Sequence, residues 1–217
     1  MERFTSFDFG LSGLTALFHQ DWNRLGEVEE VVLSHLSVGE ACIADEAQQK
    51  EAAALERDAA VLARSTLRDS QIELLFSMAT AGNYSFQSGE TGRLLLERIH
   101  SACRRWQQEY GGIPAESSPR WFSSDAMAEV RDVIGDTPLH LPDECRRYCG
   151  SAVSELRGAL DACAHSASAE LAFRLLLRIH LANFIPVEQS SWARYRMVAA
   201  EFSLGEELLS SLDFLVN

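Results

Sequence analysis

Leu171-Ala172-Phe173-Arg174-Leu175-Leu176-Leu177-Arg178-Ile179-His180-Leu181-Ala182-Asn183-Phe184 decides the fold class. Its apolar residues fall on most sides of a helical wheel rather than on one stripe, and a helix of that kind sits at the centre of a bundle. A membrane span needs about 18 or more predominantly apolar residues, and Arg174, Arg178 and His180 interrupt this stretch well before that length. The expectation is a soluble chain with no membrane partner. A central helix must be covered by others, and the flanking sequence supplies them.

Just upstream, Cys149, Val153, Leu156, Leu160 and Cys163 repeat at heptad-like spacing, with Pro142 suited to the first position of their helix. Ser124 and Asp125 open an earlier helix with Val130, Val133 and Ile134 inward, which Gly135 to Pro142 interrupts. Downstream, Trp192, Tyr195, Ala199 and Phe202 line one helix, and Leu204, Leu208, Leu212 and Leu215 share one face of a last one. In the first half, Leu14, Leu17 and Phe18 mark a short helix, and Val28, Val31, Val32 and Leu36 mark a second. The Ala-, Glu- and Gln-rich run from Glu40 to Arg64 has strong helix propensity, an apolar stripe at Leu55, Ala59 and Leu62, and polar faces expected to meet water. Ile72, Leu75, Phe76 and Ala79 follow at helical spacing before the Gly82-Asn83-Tyr84 turn. Another helix starts near Glu90, burying Leu95, Ile99, Ala102 and Trp106 and turning Glu97, Arg98, Ser101, Arg104 and Arg105 outward.

No run alternates apolar and polar residues over a strand's length, so the reading is all-α, a compact multi-helix bundle built as one body or as two packed helical subdomains. The Gly, Pro and Ser content of Gly111 to Pro119 marks the best boundary. It divides the chain into a helical domain over residues 1–110, a linker over 111–120 and a C-terminal helical region over 121–217.

The 217 residues carry 19 basic and 32 acidic side chains, a net charge of −13 spread over both halves. That balance excludes direct nucleic-acid binding, which needs clustered Lys and Arg, and favours a basic protein partner, although acidity also serves solubility. Five widely spaced cysteines and an N-terminus, Met1-Glu2-Arg3-Phe4, that leads into no apolar signal segment point to reduced thiols in the cytoplasm.

Enzyme chemistry finds no foothold. Cys145 and Cys149 lie one turn apart with His140 and His165 nearby in sequence, but they do not form paired Cys-x-x-Cys hooks, and Cys149 and Cys163 read as buried thiols, so no metal is expected. Neither a Gly-x-Ser-x-Gly elbow nor a Cys-Gly-x-Cys context is present. His19 and Asp21 point in different directions on a helix, which leaves His19 as a partly buried, hydrogen-bonded residue. Phosphate-binding Gly motifs are absent and Lys50 is the only lysine. The expectation is a non-enzyme with no catalytic residue and no cofactor.

Phe18-His19-Gln20-Asp21-Trp22, after a short aliphatic helix and before one containing Glu29-Glu30-Val31-Val32, resembles the helical immunity proteins of bacterial contact-dependent growth inhibition systems. The likeness runs over about residues 4–106. It departs from the family in having Leu17 where a second aromatic residue is frequent, in its long Glu40 to Arg64 helix, and in everything after about Gly112. The resemblance implies stoichiometric binding of a cognate protein toxin, many such toxins being nucleases with basic clefts. Glu27, Glu29, Glu30, Asp45 and Glu46 are then the expected toxin-binding surface, with Phe18 and Trp22 packed beneath it. The first three also have a purely local role, because carboxylates stabilise the first turn of a helix. Likewise His19, Gln20, Asp21 and Trp22 have a structural reading as a lock at a helix end, Asp21 capping the next turn and Trp22 filling the core. The other functional class is a helical adaptor or scaffold in a bacterial defence or regulatory complex, presenting Phe184, Trp192 or the last leucine-rich helix to a partner.

Overall fold

A computed structural model of the chain describes residues 7–37, 44–111, 124–141, 145 and 153–217. Among these the α-helices are α1 (Gly10–Thr15), α2 (Val28–His35), α3 (Glu46–Ala63), α4 (Asp69–Ala79), α5 (Gly92–Tyr110), α6 (Ser124–Asp136), α7 (Val153–Ser166), α8 (Ala169–Ala182), α9 (Gln189–Glu201) and α10 (Glu206–Ser210), with 3-10 turns at Trp22–Leu25 and Asp213–Leu215. The only pairing of extended backbone among the described residues is an isolated parallel bridge between Val187 and Val216. The fold is all-α, a compact multi-helix bundle.

Helix α8 is the element that the opening stretch predicts. Every residue from Ala169 to Leu177 is buried, as are Ile179 and His180, and α1, α4, α6 and α7 all pack against it. Ser168 starts it by accepting a hydrogen bond from the Leu171 N–H at 3.2 Å, a side-chain cap that satisfies one of the first-turn donors. The most extensive helix pair is α3 with α5, and α2 lies across α5 beside it. Leu55, Ala59 and Leu62 face Leu95, Ile99 and Trp106 in one apolar cluster that continues through α8 to Tyr195 and Phe202. Residues on both sides of the sequence boundary therefore share a core. The linker itself, residues 112–120, lies outside the described residues, as do Cys42, Pro142, Cys149 and the side chain of Val153.

Two sequence expectations change. The last leucines do not ride one helix: α10 is short and passes into a 3-10 turn, which still buries Leu208, Leu212 and Leu215. The polar faces of α3 do not all meet water, because Glu56 and Asp58 are buried. Glu56 accepts a hydrogen bond from Gln107 at 3.1 Å. Asp58 has a stronger reason to be inside.

Arg174 is fully buried on α8, and its guanidinium meets the Asp58 carboxylate at 2.6 Å and Glu170 at 3.5 Å. It also donates to the Phe9 carbonyl and to Ser12 Oγ at 2.7 Å, and it lies 4.2 Å from the Phe9 ring centroid. Asp58 in turn accepts the Leu11 N–H at 3.1 Å. Burial alone pushes the guanidinium down, and the neighbouring Asp58, Glu170 and Asp8 more than reverse it, so Arg174 stays charged. This network fastens the start of α1 to α3 and α8. Gly10 permits it: its φ of +61° suits glycine, and a Cβ there would overlap the Asp58 carboxylate.

A second buried chain links Thr137, Tyr195 and His180. Thr137 Oγ1 and the Tyr195 hydroxyl are 3.0 Å apart, the hydroxyl is 3.0 Å from His180 Nε2, and His180 Nδ1 is 3.0 Å from the Ile185 carbonyl. An Nδ1–H donated to that carbonyl fixes the tautomer and leaves Nε2 to accept from the tyrosine. The His180 partners are all internal.

Candidate functional site

The segment Phe18 to Trp22 turns between α1 and α2. Phe18 is buried, Trp22 is half-buried, and His19 and Gln20 are exposed. This corrects the expectation of a partly buried histidine: His19 Nδ1 only accepts the Asp21 N–H, at 3.3 Å. The expected cap is also corrected, since the Asp21 carboxylate takes no backbone N–H of the following turn and instead lies 3.5 Å from Arg24. Trp22 anchors the segment by donating its indole N–H to the Asn83 carbonyl at 2.8 Å.

Phe18 and Trp22 belong to an aromatic cluster completed by Phe76, Tyr84 and Phe86. Ring centroids lie 5.1 to 5.4 Å apart for Phe18–Trp22, Phe18–Phe76, Phe18–Tyr84, Trp22–Tyr84, Phe76–Tyr84 and Tyr84–Phe86, most of them edge to face. Tyr84 is the member with a second job. Its hydroxyl donates to Glu90 Oε1 at 2.8 Å, and burial together with that carboxylate pushes the phenol above its ordinary range.

From Glu90 the network runs to the surface. Arg98 reaches Glu90 at 2.9 Å, Glu29 through two contacts of 2.9 and 2.7 Å, and Glu27 at 3.3 Å. The paired contact with Glu29 matches the fork of a guanidinium, and the Arg98 hydrogen bond holds the Glu29 carboxyl below its usual value. Glu27, Glu29 and Glu90 outnumber the one guanidinium they share, so the cluster keeps an excess of negative charge. It borders a groove of about 610 Å³ whose charged and apolar lining includes Glu29, Glu90, Leu94, Glu97, Arg98 and Arg105.

The five acidic residues proposed from sequence do not form one patch. Glu30 stands with Glu27 at the start of α2, where its carboxylate accepts the Glu27 N–H and packs over Gly26. Asp45 and Glu46 begin α3 at the other end of α2, because the amide of Gln48 on the first turn of α3 donates to the Ser37 carbonyl. An eight-residue helix is about 12 Å long, which sets the order of the separation. Asp45 caps α3 by accepting the Gln48 N–H at 2.8 Å, and Gln48 returns the favour at 2.9 Å. Glu46 pairs with Lys50, which lowers its carboxyl. No family model, curated protein or solved structure matches the chain.

Tyr84, Glu90 and Arg98 are the residues that the sequence reading missed. Tyr84 stood only as part of a turn, and Arg98 only as an outward residue on the helix after Glu90. Glu90 stands just before the Thr91 cap of α5 and Arg98 lies two turns into that helix, so the two meet at its start, but the contacts to Glu27 and Tyr84 come from other elements. Among the described residues no cluster of His, Cys, Asp and Glu is arranged to hold a metal ion. The described thiols are buried: Cys103 lies next to Glu56 and is pushed up by burial, and burial raises Cys163 to about 12. No described helix is long and apolar enough to cross a membrane.

Proposed function

We propose that the chain is an immunity protein of a bacterial toxin system, a cytoplasmic inhibitor that binds a cognate toxin domain of nuclease type one to one and catalyses no reaction itself. The observation that carries this reading is the acidic edge of the α2–α5 groove, held through Tyr84 on the Phe18–Trp22 cluster. The resemblance in sequence and the acidic surface thus meet in one structural unit. A surface with excess carboxylates attracts a basic nucleic-acid-binding cleft and competes for it with phosphate. Glu27 and Glu97 are its exposed charges, while Glu29 and Glu90 are partly committed to Arg98. Asp45 and Glu46 are helix-start residues and fall outside the proposed contact.

The direct test adds the purified chain to the toxin domain encoded beside it. Toxin activity should disappear at one equivalent of inhibitor, and the two proteins should co-elute as a one-to-one complex. Unchanged activity with no complex would sink the reading. A specific feature favours the adaptor alternative: Phe184 and Phe214 are 69% and 64% exposed and meet edge to face at 6.3 Å on the C-terminal half. An adaptor would leave the toxin active.

A further inference from the structure

Phe184 sits where a helix ordinarily ends on glycine. It follows the last turn of α8, where the Ile185 N–H bonds back to the His180 carbonyl at 3.0 Å, and its φ of +51° lies in the left-handed region. The other non-glycine residues with positive φ among those described are Ala81 and Ser203, both small. A phenylalanine in that conformation is strained, and the fold uses little of its ring, which is mostly exposed. Its ring neighbour among the described residues is Phe214, equally exposed and edge to face with it.

The two rings are held from behind. The Val187 N–H donates to the Leu215 carbonyl at 2.9 Å and the Asn217 N–H donates to the Val187 carbonyl at 3.0 Å, so the segments carrying Phe184 and Phe214 are joined directly. Ile185, Val187 and Leu215 are buried, which leaves the phenyl rings facing out between inward neighbours. Their surroundings are acidic. Asp213 precedes Phe214 and Glu188 follows Val187, both exposed and neither paired with a cation among the described residues. Residues 184–191 and 197–217 contain no Lys, Arg or His.

From this combination we infer that the Phe184–Phe214 pair is a docking point for a basic segment of a partner protein, which lays an Arg or Lys side chain over the rings and toward Asp213 and Glu188. Aromatic faces attract cations, carboxylates beside them add to that attraction, and the aliphatic stem of Arg or Lys covers the apolar surface. A second copy of this chain is the wrong occupant, because its net charge of −13 opposes the same acidic surroundings. Phosphate-bearing partners are repelled for the same reason. The inference stands apart from the α2–α5 groove and holds whether or not the toxin reading survives.

The test is an NMR titration of the full chain with two synthetic peptides of equal length, one combining arginine with leucine, the other replacing every arginine by glutamate. The arginine peptide should shift the amides of Phe184, Asp213 and Phe214, and its affinity should fall as salt rises. Phe184→Gly should weaken it about fivefold, the scale of one exposed cation–π contact, while the thermal midpoint holds or rises because glycine suits the left-handed backbone. Asp213→Asn should weaken it about threefold and flatten the salt dependence. Equal binding of the glutamate peptide, shifts gathered elsewhere, or wild-type affinity in both variants would overturn the assignment. A thermal midpoint clearly lowered by Phe184→Gly would overturn it too, by showing that the ring serves the fold. So would a dimer in sedimentation that Phe184→Gly abolishes, which would make a second copy the occupant.

Discussion

Replacing Arg174 by methionine is expected to destabilise the fold by about 3 to 5 kcal/mol, read as a lower urea midpoint at unchanged slope. The substitution keeps much of the apolar volume, so packing loss is not its main consequence. What it removes is the guanidinium shared by Asp58 and Glu170, both buried, and the donor to Phe9 and Ser12. Carboxylates left in the interior must then be desolvated alone or protonated. Asp8, already raised by burial despite its closeness to Arg174, loses the first of the interactions that hold it down. Adding Asp58→Asn to the methionine variant should recover part of the loss, since it removes one stranded charge and keeps an acceptor for the Leu11 N–H. A loss below about 1 kcal/mol, with no recovery in the double variant, would show that the network is not a buried charge pair in solution.

The second large effect is one of pH. Burial lowers His180 to about 4, against an ordinary value of 6.5, and the hydrogen bond to Ile185 only partly offsets it. Below 6.5 the unfolded chain therefore takes up a proton that the folded chain refuses until about 4. The stability contributed by neutral His180 is complete above 6.5 and is lost as the pH falls through that window. A shift of this size corresponds to about 3 kcal/mol. His180→Gln should be less stable than the wild type at pH 7, through its broken contacts to Tyr195 and Ile185, and the gap should close by about that amount near pH 4. Asp8 works in the opposite sense, since its raised value favours the folded state as protons are added. It is present in both proteins, so the difference between them isolates His180. A gap that stays constant with pH would contradict the assignment.

How far the sequence carried can be judged from these residues. Helix α8 was legible because burial on all sides leaves a continuous apolar record, and the one-sided stripes of α2, α4, α5 and α9 follow from period alone. Arg174 and His180 were visible only as interruptions of an apolar stretch. Their partners Asp58 and Tyr195 lie 116 and 15 residues away, and nothing in a local pattern announces such a pairing. The same limit applies to the candidate site. The acidic start of α2 could be read, and so could the aromatic motif before it, but their link through Tyr84, Glu90 and Arg98 depends on how three separate segments pack. Asp45 and Glu46 show the converse limit: their charge is plain in the sequence, but that Asp45 caps a helix and Glu46 pairs with Lys50 emerges only from the structure.

The central claim is that charge on the α2–α5 edge guides a basic toxin domain to this chain. Its most direct measurement is the association rate between the two proteins over a range of salt, for the wild type and for Glu27→Gln combined with Glu97→Gln. Both side chains are exposed, and losing the rim contact of Glu27 with Arg98 should cost less than about 1 kcal/mol, so the variant should stay folded with a thermal midpoint close to that of the wild type. The account predicts that the wild-type rate falls steeply as salt rises, and that the variant associates about tenfold more slowly at low salt with a shallower dependence. Identical rates for the two proteins at every salt concentration would contradict it.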